Sequence, residues 1–329
     1  MNRSPCVLDG ILDRSNFSPV TRAQYERVIG EWLEFAGLDP RGWTRLRAQN
    51  FYDDCLSRGV KVGTANNYIA CLRYVSHWFH VQHGGEDFAL IQIRDIIEEG
   101  RSVRRALTQS DVIALLATCS GSLPIAKRPL DRRDRALLVL GLETGMRSMS
   151  LEGSHIENVR ERPYPFITVP IKGRGGRKRF DVPLSDTAMS ALDDWLGWLR
   201  AHDVKDGPVF RRLRPGIDRR GQRAYAVADG ISQVMIYKII SRRAKEAGIA
   251  HVHPHLLRHT FITWRVASGL AAPFIAAITG HSLSTRHQDI PSNGLGEIAT
   301  YFDLKAYAET ARQSTPPWLA GHVHQMLEG

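Results

Sequence analysis

Along residues 17–95 the apolar positions recur at helical spacing and divide the segment into short helices. Tyr25, Val28, Ile29, Trp32 and Phe35, with Ala36 beside them, make one stripe. Thr21, followed three residues later by Gln24, resembles a capping box and predicts the helix start, and Gly37 closes it. A second helix is predicted over Thr44 to Arg58, before Gly59. A third runs from Val62 through Ile69, Leu72, Val75 and Trp78 to a break at Gly84-Gly85-Glu86-Asp87. The aromatic stripe reads as core, not as a base-stacking platform.

From Leu107 the pattern changes. Leu107-Thr108-Gln109-Ser110-Asp111 opens a helix, and Asp134 to Leu142 forms a second, strongly apolar one. Residues 164–184 alternate as strands do, with Phe166, Thr168 and Pro170 before a glycine-rich turn and Phe180, Val182 and Leu184 after it. Lys172 to Arg179 is therefore the tip of a β-hairpin. Helices follow at 185–202, 231–247 and 256–268. The run Phe210 to Arg223, with six arginines, reads as an exposed loop. After Pro316-Pro317 the tail carries a helical apolar stripe through Trp318, Leu319, Val323, Met326 and Leu327. The fold class that follows is mainly α with a small antiparallel β-sheet. Its parts are a flexible N-terminus (1–16), a helical domain (17–95), a basic linker (96–106) and a larger domain (107–329) ending in a tail (315–329).

Charge sharpens this division. The net charge is +10, yet residues 1–100 hold 11 Lys+Arg against 13 Asp+Glu, a net of −2. The remainder holds 44−11 = 33 basic and 34−13 = 21 acidic residues, a net of +12, which predicts a polyanionic partner for the larger domain. No apolar run approaches the ~20 residues that span a bilayer, so no membrane is expected. Asp9 and Asp13 interrupt the N-terminus where a secretory signal would be apolar. Four scattered cysteines without a C-x-x-C pair fit a reducing cytoplasm. There is no P-loop and no set of metal ligands, so no cofactor is expected.

The chemistry lies in three boxes and a tyrosine: Thr144-Gly145-Met146-Arg147, Pro254-His255-Leu256-Leu257-Arg258-His259-Thr260, Gly280-His281-Ser282, and Tyr301 downstream. Phosphoryl transfer builds negative charge on non-bridging oxygens, and preorganised positive charge lowers that barrier. Arginine suits the task, because its planar fork donates two hydrogen bonds to one phosphate and does not deprotonate.

In kind and order these residues resemble the catalytic set of the tyrosine recombinases, the phage-integrase family, and most of the spacing agrees. The resemblance covers residues 17–310 and is closest at 130–150 and 250–285. It implies a helical core-binding domain and a mixed catalytic domain closing on duplex DNA as a C-shaped clamp. Arg147 and Arg258 then hold the scissile phosphate, with His255 and His281 beside them. Lys172, in Ile171-Lys172-Gly173-Arg174-Gly175, is the general acid and Tyr301 the nucleophile, leaving a 3′-phosphotyrosine that needs no ATP for rejoining. His259 is structural. DNA contacts are expected from Lys61 and Arg73, from the linker residues Arg101, Arg104 and Arg105, and from Arg174 and Lys178 on the hairpin. The substrate implied is double-stranded DNA with inverted-repeat sites, recombined through a Holliday junction by a homo-tetramer. The tail docks on a neighbouring copy, accessory directionality factors are possible partners, and the place of action is the nucleoid. About 16 residues precede the first helix, too few for the separate arm-binding domain of some phage integrases.

The chain departs from the family in three ways. Its first tyrosine after His281 is twenty residues on, where nine is usual, with an apparent insertion at 284–297 and Tyr307 as a rival nucleophile. Ser150 stands where a glutamate usually follows the first arginine, so Arg147 must be oriented by something else. The helical domain is slightly acidic. Two rival readings are a type IB topoisomerase and a catalytically silent DNA-binding architectural factor.

Overall fold

The structure is a computed structural model that describes residues 17–84, 86–94, 106–120, 129–162, 164–170, 179–217, 223–270 and 315–328, together with Leu12, Ile275 and Thr279. It divides into two compact units, Met1–Arg101 and Ser102–Gly329. Lys172, Arg174 and Lys178 on the hairpin tip, the linker residues Arg101, Arg104 and Arg105, and His281, Tyr301 and Tyr307 lie outside the described residues.

The first unit packs helices α1 (Pro19–Ala36), α2 (Arg45–Ser57) and α3 (Val62–His83) around Trp32. Trp32 is fully buried; its ring stacks on Phe88 at 5.3 Å and meets Phe51 edge-on at 5.5 Å. The stripe read as core is centred there. Helix α1 starts a turn earlier than the Thr21 pattern predicts. Ser18 is the N-cap, accepting from the Thr21 N–H at 3.1 Å, and Pro19 fills the first turn, where its missing N–H costs nothing. Arg73 donates Nε to the Ala89 carbonyl (3.3 Å) and Nη2 to that of Ile91 (3.1 Å), so its guanidinium ties the segment after α3 back to that helix.

The second unit opens at α4 (Gln109–Ala117). There Thr108 and Asp111 form a reciprocal capping box, the Asp111 N–H donating to Thr108 Oγ1 (3.1 Å) and the Thr108 N–H to Asp111 Oδ2 (2.8 Å). Its axis is α5 (Pro129–Thr144), which extends five residues before the predicted start. Although charged, Asp131, Arg133, Asp134 and Arg135 are buried there. Asp134 accepts from Arg133 (2.7 Å), Arg242 (2.7 Å) and Arg243 (2.9 Å), and Arg243 also donates to Asp131 (2.6 Å) and to the Thr118 carbonyl (2.6 Å). Pairing makes this burial tolerable, since a buried charge is stable only when partnered.

Around α5 lie the short α6 (Ser148–Glu152) and the strands β1 (Val159–Arg160), β2 (Phe166–Pro170) and β3 (Arg179–Pro183), with α7 (Asp186–Arg200) after them. The three strands form an antiparallel sheet in which Ile167 faces both Val159 and Val182, so the predicted hairpin is present. The run Phe210 to Arg223, expected as an exposed loop, differs: its residues Arg211–Ile217 form β4, which pairs antiparallel with β5 (Arg223–Gly230) as a separate two-stranded ribbon. Helices α8 (Gln233–Glu246), α9 (Pro254–Ala267) and α10 (Pro317–Glu328) complete the described elements. In the single chain α10 packs on α7. Leu319 and Val323 are fully buried in the same core as Leu137 and Trp195, Trp318 meets Trp264 edge-on at 5.3 Å, and Arg135 donates to the Met326 carbonyl (3.2 Å). Among the described residues no helix is long and apolar enough to cross a membrane.

The ion network supplies a test. Asp134→Ala strips three guanidiniums of a shared, fully buried carboxylate and is expected to lower stability by about 3–5 kcal/mol, read as a shift in the urea midpoint.

Candidate active site

Helix α5 ends at Thr144, and the chain must then turn sharply to start α6. Gly145 makes that turn at φ +60°, and a Cβ there would lie 2.5 Å from the Phe261 ring of α9. Both the left-handed backbone and the close approach require glycine, which accounts for it in the Thr-Gly-Met-Arg box. The turn leaves Arg147 as N-cap residue of α6 and presents the Gly145 carbonyl to α9. Helix α9 crosses α5 closely at Gly141, where an added Cβ would lie 3.0 Å from Leu257. That crossing carries Arg258, the next residue, to the turn.

Arg258 is buried and donates Nη1 to the Gly145 carbonyl (2.8 Å) and Nη2 to the Thr279 carbonyl (2.6 Å). Arg147, half-buried, donates Nη1 to the same Thr279 oxygen at 3.0 Å. Two guanidiniums more than a hundred residues apart in sequence thus meet at one main-chain oxygen. These carbonyls satisfy donors without cancelling charge. Burial pulls the Arg147 pKa down. Burial, and then the charge of Arg147, bring Arg258 down to about 10. Below that pH the folded state holds a cation it disfavours, so the group opposes folding at neutral pH, and the penalty fades only above pH 10. A guanidinium's planar fork can donate two hydrogen bonds to one phosphate.

A model of the phage integrase family matches residues 105–287, which include both arginines and the last histidine box. The chain belongs to the phage integrase family. The tyrosine recombinase XerD of Mycobacterium leprae is 31% identical over 215 residues, a match spanning 64% of this chain and 64% of that protein. The tyrosine recombinase XerC of Thermodesulfovibrio yellowstonii is 25% identical over 310 residues, 93% of each chain. In fold, the recombinase resembles the site-specific recombinase XerH, solved in a post-cleavage complex with its palindromic difH substrate. The TM-score is 0.59 at 19% identity, covering 89% of this chain and 79% of that one. This is a tyrosine recombinase, an enzyme that cleaves and rejoins DNA.

Of the predicted set, the described residues of the recombinase bring Arg147 and Arg258 together. His255 sits in the first turn of α9, exposed, its ring 6.5 Å from that of His253. Lys61 is exposed at the start of α3, whereas Arg73 holds backbone carbonyls as described above.

Ser150 cannot do a carboxylate's work at Arg147; its buried hydroxyl donates to the Pro170 carbonyl (2.8 Å) and fastens α6 to β2. The Thr279 carbonyl fills that place for the recombinase. Sequence reasoning missed it because a main-chain acceptor leaves no residue-type signal. It also missed Glu143, one residue before the box. That buried carboxylate accepts from Arg265 (3.4 Å), Ser185 (2.9 Å) and Thr315 (2.5 Å), tying α9, α7 and the start of the tail to the end of α5. Thr260 of the His-Thr pair accepts the Leu107 N–H at 3.0 Å.

Two substitutions separate function from scaffold. Arg147→Gln removes one of two repelling cations and is expected to leave the thermal midpoint unchanged or higher. Arg265→Gln leaves the Glu143 carboxylate buried without its cation and should cost about 3–5 kcal/mol by chemical denaturation.

Proposed function

We propose that this recombinase performs site-specific recombination by cutting one DNA strand at a time through a covalent bond to Tyr301. The observation that carries the reading is the convergence of the half-buried Arg147 and the buried Arg258 on the Thr279 carbonyl. The scissile phosphate enters between the two forks and takes up their donors as charge builds on its non-bridging oxygens. The Tyr301 phenol attacks phosphorus and loses its proton, while the bond to the 5′ oxygen breaks. Lys172 gives that oxygen a proton, and His255 and His281 assist at the phosphate. The product is a 3′-phosphotyrosyl bond and a free 5′ hydroxyl. Attack by the 5′ hydroxyl of a partner strand reverses the step with no energy input and passes through a Holliday junction. The two arginines hold the charge-neutralising place that metal ions hold in other phosphoryl transferases.

The substrate of this reading is duplex DNA with inverted repeats, recombined at the nucleoid in the cytoplasm. The first unit serves as a core-binding domain, and Lys61, Arg101, Arg104, Arg105, Arg174 and Lys178 contact the backbone, with Arg73 acting through the segment it braces. Support comes from the +12 balance of residues 101–329 and from the DNA on which XerH is solved. Four copies act together, the tail of each engaging a neighbour, and accessory factors set direction. For that exchange α10 must first leave the cleft it occupies in its own chain.

A phosphorothiolate-trapped duplex tests the chemistry. Wild type is expected to give a covalent protein–DNA band that Tyr301→Phe lacks; a band mapped to Tyr307 moves the nucleophile, and binding without any band in either protein points to the architectural reading. Removing residues 315–329 is expected to abolish cooperative filling of paired sites in a gel shift. It should also lower the melting midpoint, because Leu319 and Val323 leave the core.

A further inference from the structure

The β4–β5 ribbon is built unlike the rest of the second unit, and the chemistry above does not use it. Its base is locked. Arg133 donates to the Arg211 carbonyl (3.2 Å), the Ile231 N–H donates to the Phe210 carbonyl (3.0 Å), and Arg211 donates to the carbonyls of Pro208 (3.0 Å) and Asp206 (2.7 Å). The cross-strand partners Leu213 and Val227 pack on the core. Beyond them Arg214, Pro215, Gly216 and Ile217 are exposed, and the seven-residue strand reaches ~23 Å at ~3.3 Å per residue. A two-stranded ribbon is marginal by itself, so an exposed one anchored this firmly is preorganised to meet something.

The charge identifies the partner. Residues 211–223 hold six arginines and one aspartate, a net of 6−1 = +5. Burial alternates along β4, leaving Arg212 and Arg214 exposed on one face with Leu213 turned inward. Among the described residues neither arginine has a hydrogen bond or ion pair. In the first unit, by contrast, Arg22, Arg27, Arg41, Arg45 and Arg58 all face carboxylates. Two residues along a strand advance ~6.6 Å, close to two ~3.4 Å axial steps between phosphates of one DNA strand.

We infer that the ribbon is a second DNA-contacting arm, laying Arg212 and Arg214 on backbone phosphates other than the one held by Arg147 and Arg258. The inference rests on the recombinase reading and adds to it a surface that the catalytic boxes do not contain. Because the contacts go to phosphates, the arm contributes affinity and register without reading sequence.

The test uses the full chain and a fluorescein-labelled duplex of arbitrary sequence, with affinity followed by anisotropy between about 50 and about 200 mM salt. Losing two phosphate contacts makes the slope of log K against log salt shallower by about 1.8, so the wild type should lose roughly tenfold more affinity over that range than Arg212→Gln/Arg214→Gln. The double Lys variant is expected to keep the wild-type slope, and all three proteins should melt together. An unchanged slope in the Gln pair, with the wild type binding normally, overturns the arm and leaves the recombinase reading intact. The same unchanged slope accompanied by loss of self-association in sedimentation assigns the ribbon to a protein partner and also overturns it. A wild type that binds no duplex sinks both readings.

Discussion

Two guanidinium groups, one buried and one half-buried, are held beside each other against their mutual repulsion. The Thr279 carbonyl accepts from both, the Gly145 carbonyl accepts from one, and Gly145 is placed by a backbone turn that only glycine makes easily. None of these acceptors neutralises the pair. Neutral carbonyls hold the forks in position without adding a negative charge, and burying the two cations costs stability.

That cost is met by charge compensation elsewhere on the same helix. Asp131 and Asp134 lie near the start of α5, Glu143 at its end, and each holds guanidiniums from other elements. The acidic positions carry α8 and α9 onto α5, while Arg132 and Arg135 bind Asp194 of α7. The central helix is thus fixed at both ends by ion pairs, and Arg147 lies just past its C-terminal end.

Much of this could be read from residue order, for a physical reason. Arg147 and Arg258 announce themselves by type, and the alternation over 164–184 is carried by Phe166, Phe180 and Val182, whose side chains obey the period of a strand. Three features were illegible. The Thr279 acceptor is main chain. The first residues of α5 are charged and buried, and hydropathy cannot see that an aspartate will be paired with arginines from more than a hundred residues away. In β4 only Leu213 and Ile217 are apolar, and Pro215-Gly216 mimics a turn, so the strand signal came down to Tyr225 and Val227 on its partner. Ser18 was passed over as a cap because Thr21 offered a fuller motif one turn later.

The berth of α10 has a consequence for the order in which the protein takes shape. Arg135 and Met326 are joined across 191 residues, and Leu319 and Val323 complete a core whose other members begin at Leu107. The first unit draws its contacts from the first 101 residues and can close as soon as they are made. The second cannot seal its interior until residue 323 has left the ribosome, so during synthesis it passes through a long interval with α5 and α7 open on one side. Until then the apolar side chains that Leu319 and Val323 will cover stay open to water.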